Sequence, residues 1–166
     1  MTSYRQAVFY RSGLIVGRFD PPHLGHSYLI EEAARRCDRL VVFVNSGPAD
    51  AVPGELRAGW LAELHPDVTV LEVVHQLPTD FSDERLWQRW IELFRATWPL
   101  DEGPEVVFSS DRYVSELAER LGAEADVVDA ERATVPISAR MVRTDPGAHL
   151  DRLAPPVRAW VEAEWL

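Results

Sequence analysis

Two textures of hydrophobic and polar positions alternate along the chain. Short apolar runs rich in Val, Leu and Phe, at residues 14–16, 40–45, 68–74, 106–109 and 125–128, predict five β-strands. Between them apolar residues recur every three or four positions, at about 24–36, 55–64, 83–97 and 112–121, and a last amphipathic stretch occupies 155–164. Strands separated by helices imply a parallel sheet covered on both faces, hence a doubly wound α/β fold. In such sheets ligands bind beyond the carboxyl ends of the strands, so chemistry is sought in the loops that follow them. The loop at 45–54, rich in Gly, Pro and Ala, reads as a flexible substrate flap. No repeat or low-complexity segment interrupts the pattern.

Composition narrows the picture. A chain of 166 residues fits one domain, large enough to bury a core without disulfides or a structural metal. No apolar run approaches the roughly 20 residues of a membrane span. Residues 1–12 lack a basic stretch followed by a long apolar core, so no secretory signal is expected. The single cysteine, Cys37, cannot form an internal disulfide and agrees with a reducing cytoplasm. A net charge of -10 opposes binding to a polyanion and argues against nucleic acid as a partner. A small phosphorylated ligand remains compatible, because it feels local donors and helix ends more than total charge.

The loop after the first predicted strand runs Gly17-Arg18-Phe19-Asp20-Pro21-Pro22-His23-Leu24-Gly25-His26 and leads directly into a helix. Gly17 permits close approach of the backbone to a ligand, the two prolines stiffen the turn, and Gly25 admits close packing or a phosphate near the helix start. His23 and His26, three residues apart, can project from one face toward the same point. There they would donate hydrogen bonds to phosphate oxygens and to the charge growing on a leaving pyrophosphate. The ordinary alternative is one capping histidine and one surface histidine. Without a third ligand or a nearby cysteine, the pair makes a poor zinc site, and no protein metal site is expected.

At these residues the sequence resembles the HxGH nucleotidyltransferase superfamily, in which G-x-F-x-P-x-H-x-G-H binds ATP at the start of a Rossmann-like domain. Every fixed position is filled, and the resemblance implies a Rossmann-like, five-stranded, single-domain α/β fold with Gly17, Phe19, Asp20 and Gly25 beside the ATP.

Far along the chain stands Pro136-Ile137-Ser138-Ala139-Arg140-Met141-Val142-Arg143. Ser138 can cap a short helix, and Arg143 would supply a forked cation one turn later. This stretch resembles the superfamily's second signature, I-S-x-T-x-x-R, which holds the ATP phosphates. It departs at one position, where Arg140 replaces threonine, losing a hydroxyl and adding a cation. Three further stretches resemble the nicotinamide-nucleotide adenylyltransferases of NadR type: 106–110, 128–132, and 145–146 with 153–158. The kinase domain such proteins often carry is not expected here, because the sequence has no G-x-x-x-x-G-K-[ST] loop.

The resemblance implies in-line attack by the 5′-phosphate of nicotinamide mononucleotide on the α-phosphorus of ATP, giving NAD and pyrophosphate. Catalysis then reduces to positioning two anions and stabilising the leaving charge. His23 and His26 are assigned to the ATP phosphates and Ser138 and Arg143 to the pyrophosphate end, with Arg140 nearby. Mg²⁺ would be held chiefly by the triphosphate and water. Ser109, Ser110 and Asp111, at a strand end, border the adenine or the metabolite, or else cap the next helix. Arg132 contacts a phosphate or forms a surface ion pair. Trp87 and Trp90 share a face of the third predicted helix, where tryptophans are commonly core. The family's use of tryptophan against the nicotinamide ring singles out Trp87, nearer the preceding loop, with little effect on stability expected from its removal.

Rival readings are another enzyme of the superfamily, acting on pantetheine phosphate or a sugar or polyol phosphate, also with CTP, and a nucleotide-binding regulator without turnover. A homo-oligomer is left open.

Overall fold

The computed structural model describes residues 9–166. Most of the stretch examined for a secretory signal lies outside the described residues. Five parallel strands, β1 (Tyr10–Gly17), β2 (Cys37–Ser46), β3 (Thr69–Val74), β4 (Val106–Ser109) and β5 (Glu124–Val127), form one sheet in the order β3-β2-β1-β4-β5. The helices are α1 (Leu24–Ala34), α2 (Gly54–Leu64), α3 (Glu84–Thr97), α4 (Val114–Leu121), α5 (Ala139–Thr144) and α6 (Pro155–Trp165). A 3₁₀ segment, Pro146–Arg152, kinked at His149, joins the last two. This is the doubly wound, Rossmann-like α/β architecture expected from the alternation of strands and helices. No helix among the described residues is long and apolar enough to cross a membrane.

Neighbouring residues of the central strands face opposite layers, which is why these strands read as unbroken apolar runs. Ile15, Val42, Val44 and Phe108 pack against Leu29, Ile30 and Ala33 of α1. Leu14, Val41, Phe43 and Val107 pack on the other face against Trp87 and Phe94 of α3 and Leu117 and Leu121 of α4. A third cluster, with Val52, Trp60, Ile137, Val142, Val157 and Val161, fastens the carboxyl-terminal segment to α2.

β1 and β2 begin earlier than their apolar runs. Arg11, Asp38 and Arg39 are exposed yet lie within the paired strands, because a ladder needs only backbone groups. α4 starts two residues later than predicted and ends on Gly122, whose left-handed φ of 72° closes the helix. Asp83 caps α3 by accepting from the Leu86 amide at 3.1 Å.

From β1 the chain winds outward to β2 and β3, then returns to lay β4 on the other side of β1. The two loops leaving β1 and β4 therefore diverge, and the crevice between them is where a doubly wound sheet takes its ligand.

Candidate active site

A cavity of about 740 Å³ opens at that crevice. It is lined from the first loop by Gly17, Arg18, Phe19, Asp20, His23, Gly25 and His26, and from the second motif by Ser138, Arg140 and Arg143. Ser110, Arg132, Trp87 and Trp90 also line it, so the structure brings the candidate site residues to one place, whereas the stretches 145–146 and 153–158 lie outside the lining.

The two histidines are held by the start of α1. His23 is its N-cap, and its Nδ1 accepts from the amides of Gly25 at 3.1 Å and His26 at 3.3 Å. The His26 Nδ1 in turn accepts from the His23 amide at 3.1 Å, closing a reciprocal capping box made of two imidazoles. Their rings stack with centroids 3.6 Å apart and planes 18° apart. An acceptor at Nδ1 places the proton of each neutral ring on Nε2. Burial, and then the nearby Arg132 charge, push the His23 pKa down to about 3. Burial, with His23 and Arg132 beside it, holds His26 well below the usual imidazole value. Both rings are therefore neutral donors at pH 7. The His23 Nε2 is buried without a protein partner, an arrangement that asks for an acceptor from outside the chain. The helix-start amides of Gly25 and His26 are spent on the His23 ring rather than left bare.

Gly25 has no room for a side chain: a Cβ there would lie 2.9 Å from the His23 ring and 3.3 Å from Ile137. Gly17 is confined in the same way by the Phe19 ring, 3.0 Å from a would-be Cβ. Phe19, buried, has a left-handed φ of 51° and meets His26 edge to face at 4.7 Å. The other non-glycine residues with positive φ among those described, Asp129 and Arg132, also line the cavity. Strained backbone at a ligand site is a familiar association.

Asp20 borders the cavity, but its carboxylate, 1% exposed, accepts from the amides of Ala51 and Val52, each at 2.8 Å. The loop at 45–54 is thus pinned, in contrast to the flexible flap expected from its composition. Arg57 of α2 completes the clamp. Fully buried, it donates to the carbonyls of Val52, Arg18 and Asn45 and to the Asp50 carboxylate. Arg57, Asp50 and Arg18 were missed in the sequence. Arg57 sits in a predicted amphipathic helix, where an arginine reads as solvent-facing, and long-range carbonyl partners leave no local signal.

Arg143 donates to the Asp20 carbonyl, linking the second motif to the first. Ser138 caps α5 by accepting from the Met141 amide at 3.2 Å. Arg140 is exposed and makes no hydrogen bond or ion pair among the described residues. Arg132 donates to the Ile137 carbonyl at 3.1 Å and lies 3.6 Å from Asp111, so it forms an ion pair while facing the cavity. The alternative that Ser109 to Asp111 cap the next helix does not hold, since α4 begins after Tyr113 without a side-chain cap.

The cavity lining also includes aromatic side chains, among them Phe81, Trp87 and Trp90. Trp87 is 5% exposed, belongs to the core, donates its indole N–H to the Phe81 carbonyl at 3.0 Å, and carries the Arg120 guanidinium 4.7 Å from its ring centroid. This packing argues against the expectation that Trp87 could be removed at little cost to stability. Trp90 is half-buried and bonds to the Pro78 carbonyl at 3.0 Å. His75, also missed in the sequence, meets Trp90 edge-on at 4.4 Å. No group of three or more metal-ligating side chains occurs among the described residues.

Residues 14–58 match the family described as cytidylyltransferase-like. The chain is similar to a probable nicotinate-nucleotide adenylyltransferase of Cereibacter sphaeroides, 35% identical over 82 residues that cover 45% of this chain and 44% of the relative. It is also similar to the trifunctional NAD biosynthesis/regulator protein NadR of Escherichia coli, 26% identical over 158 residues, covering 81% of this chain and 36% of the relative. The chain thus spans less than half the length of these curated relatives. Among solved structures, NadR in complex with NAD and AMP-PNP superposes with a TM-score of 0.61 at 21% identity, covering 89% of this chain and 46% of that one. A bifunctional NMN adenylyltransferase/ADP ribose pyrophosphatase from Francisella tularensis gives 0.61 at 14%, covering 82% and 42%. First motif, fold and relatives converge: the chain resembles the HxGH nucleotidyltransferases, with a cytidylyltransferase-like segment at residues 14–58 on the α/β fold seen in NadR.

Proposed function

We propose that this chain is a nucleotidyltransferase domain that adenylylates nicotinamide mononucleotide, giving NAD and pyrophosphate. The observation that carries the reading is the stacked, neutral His23–His26 pair, which lines a cavity with Arg132, Arg140 and Arg143 and leaves the His23 Nε2 buried without a protein partner. Such donors stabilise charge as it develops, without a proton transfer.

The 5′-phosphate oxygen of the mononucleotide attacks the α-phosphorus of ATP, the bond from that phosphorus to the α,β-bridging oxygen breaks, and pyrophosphate leaves with the electron pair. The nucleophile is already an anion, so no general base is required. His23 and His26 donate to the triphosphate, and Arg143 holds the pyrophosphate end while its bond to the Asp20 carbonyl keeps it in register with the first loop. Ser138 fixes the start of α5, which carries Arg140 and Arg143. Asp20, buried and accepting from two amides, is assigned to holding the loop at 45–54, and Mg²⁺ enters as part of the Mg·ATP substrate. Gly17, Phe19, Gly25 and Ser110 shape the nucleotide side of the cavity. Trp87 and Trp90 form the wall assigned to the nicotinamide ring, whose positive charge an indole face attracts.

The curated Cereibacter relative favours a second reading in which nicotinate mononucleotide is the acceptor. Against it, the cavity lining includes Asp80, which forms no ion pair among the described residues and suits a carboxamide better than a carboxylate. Pyrophosphate release from Mg·ATP, measured with each mononucleotide in turn, tests the proposal. Release with the nicotinamide form supports it; release only with the nicotinate form, with pantetheine phosphate or with a polyol phosphate overturns the substrate. Nucleotide binding without any release overturns the reaction.

A further inference from the structure

Arg18 occupies a variable position of the first motif, yet it lines the cavity and its side chain is 55% exposed. It is not loose. The Asp50 carboxylate accepts from its Nε at 3.2 Å and from its Nη2 at 3.0 Å, a fork that fixes the plane of the guanidinium. Asp50 is itself 8% exposed and fastened from behind: Arg57, fully buried, donates to its other oxygen at 2.6 Å, and the Gly47 amide donates to the same oxygen at 2.8 Å. Burial alone would raise the Asp50 pKa, but the Gly47 amide and the two arginines outweigh it and hold the carboxyl below its usual value.

Four charges meet here: buried Arg57, the shared Asp50, exposed Arg18, and Asp20, 3.4 Å from Arg18 and 4.0 Å from Arg57; the shorter bonds run through Asp50 and give the device its direction. Arg57 is bound to three carbonyls from β2 and the two loops, so it cannot swing toward the cavity. Asp50 transmits that rigidity to Arg18, the member that can reach a ligand. When a phosphate meets Arg18, Asp50 keeps Arg57 as its partner, so no buried charge is left unpaired.

We propose that Asp50 and Arg57 are positioning residues that act through Arg18, presenting its guanidinium ready-aimed to a substrate phosphate. The inference deepens the function proposed above and rests on it for the identity of the phosphate donor and acceptor. The saving is entropic: an exposed arginine must otherwise order a long side chain on binding.

The test is a double-mutant cycle on the full chain, read by calorimetric titration of inorganic pyrophosphate, which needs no particular metabolite. Arg18→Met and Asp50→Asn should each weaken pyrophosphate binding by about tenfold, the scale of one charged hydrogen-bonded contact. The double variant should bind no more weakly than Arg18→Met alone. Equal weakening by Asp50→Asn in both backgrounds would overturn the proposal, because a merely structural role does not pass through Arg18. Wild-type affinity in Asp50→Asn would overturn it as well. If Asp50→Asn does not fold, Arg57→Lys takes its place in the cycle, since lysine keeps the charge but cannot span the carbonyls and Asp50 together. In turnover, Arg18→Met and Asp50→Asn should raise the Michaelis constant for ATP, which carries the pyrophosphate unit, and a rise confined to the mononucleotide would overturn the proposal. Failure of the wild type to release pyrophosphate with any mononucleotide would refute the proposed function and leave the cycle intact.

Discussion

Replacing Trp87 with alanine separates two roles that the sequence could not. The indole is 5% exposed and packs in the layer between the sheet and helices α3 and α4. Deleting a buried tryptophan removes its transfer free energy and leaves a cavity that the surroundings fill only in part, about 3–5 kcal/mol together. The lost hydrogen bond to the Phe81 carbonyl adds little, because Phe81 sits in an exposed loop where water can replace the donor. At this chain length each kcal/mol lowers the melting temperature by about 2–4 °C, so Trp87→Ala should melt roughly 6–20 °C below the wild type. Trp87→Phe, which keeps most of the ring volume, should lose much less. Melting followed by circular dichroism, a urea titration at fixed slope, and Michaelis constants for both substrates decide the matter. A Trp87→Ala protein that melts within about 2 °C of the wild type while its Michaelis constant for the mononucleotide rises selectively would show that the ring is a ligand platform and that its core role is misjudged.

His26→Ala should reduce turnover by roughly two to three orders of magnitude with little change in ground-state binding, the loss expected from one preorganised donor; single-turnover kinetics on a folded variant check it, and near-normal turnover removes His26 from the chemistry. His23, with its pKa depressed to about 3, should make the fold sensitive to acid. Below the ordinary value of 6.5 the unfolded chain takes up a proton that the folded chain refuses, so stability falls as pH drops from there toward about 3. At pH 5 the loss from this one group is about 2 kcal/mol. Urea titrations of the wild type and His23→Gln at pH 8 and pH 5 should show the wild type losing that much more, and parallel losses in both would contradict it.

The sheet was legible because a strand buried on both faces must be apolar at every position, and the runs at 40–45 and 106–109 could hardly be anything else. The first motif was legible because its requirements are local: His23, Gly25 and His26 answer one another across a single helical turn. What the sequence hid was nonlocal. Asp20 and Arg57 meet the loop at 45–54 from other elements, and composition alone made that loop look mobile when two amides and a buried guanidinium hold it. Trp87 was ambiguous for a related reason. Its spacing from Trp90 gives the face of the helix but not the depth to which each ring sinks, and the loop before α3, anchored by both indole N–H groups, sets that depth.

The imidazole cap on α1 also changes how the helix presents its charge. A bare helix start offers an anion several separate amide protons and a diffuse half-charge. Here the amides of Gly25 and His26 converge on one nitrogen of His23 and draw electron density toward it, so the proton on the opposite nitrogen becomes the outlet for the dipole. One uncharged ring thereby delivers the field of a helical turn at a single point. Its strength as a donor then stays constant as the medium passes through pH 6.5, where a free histidine switches on and off.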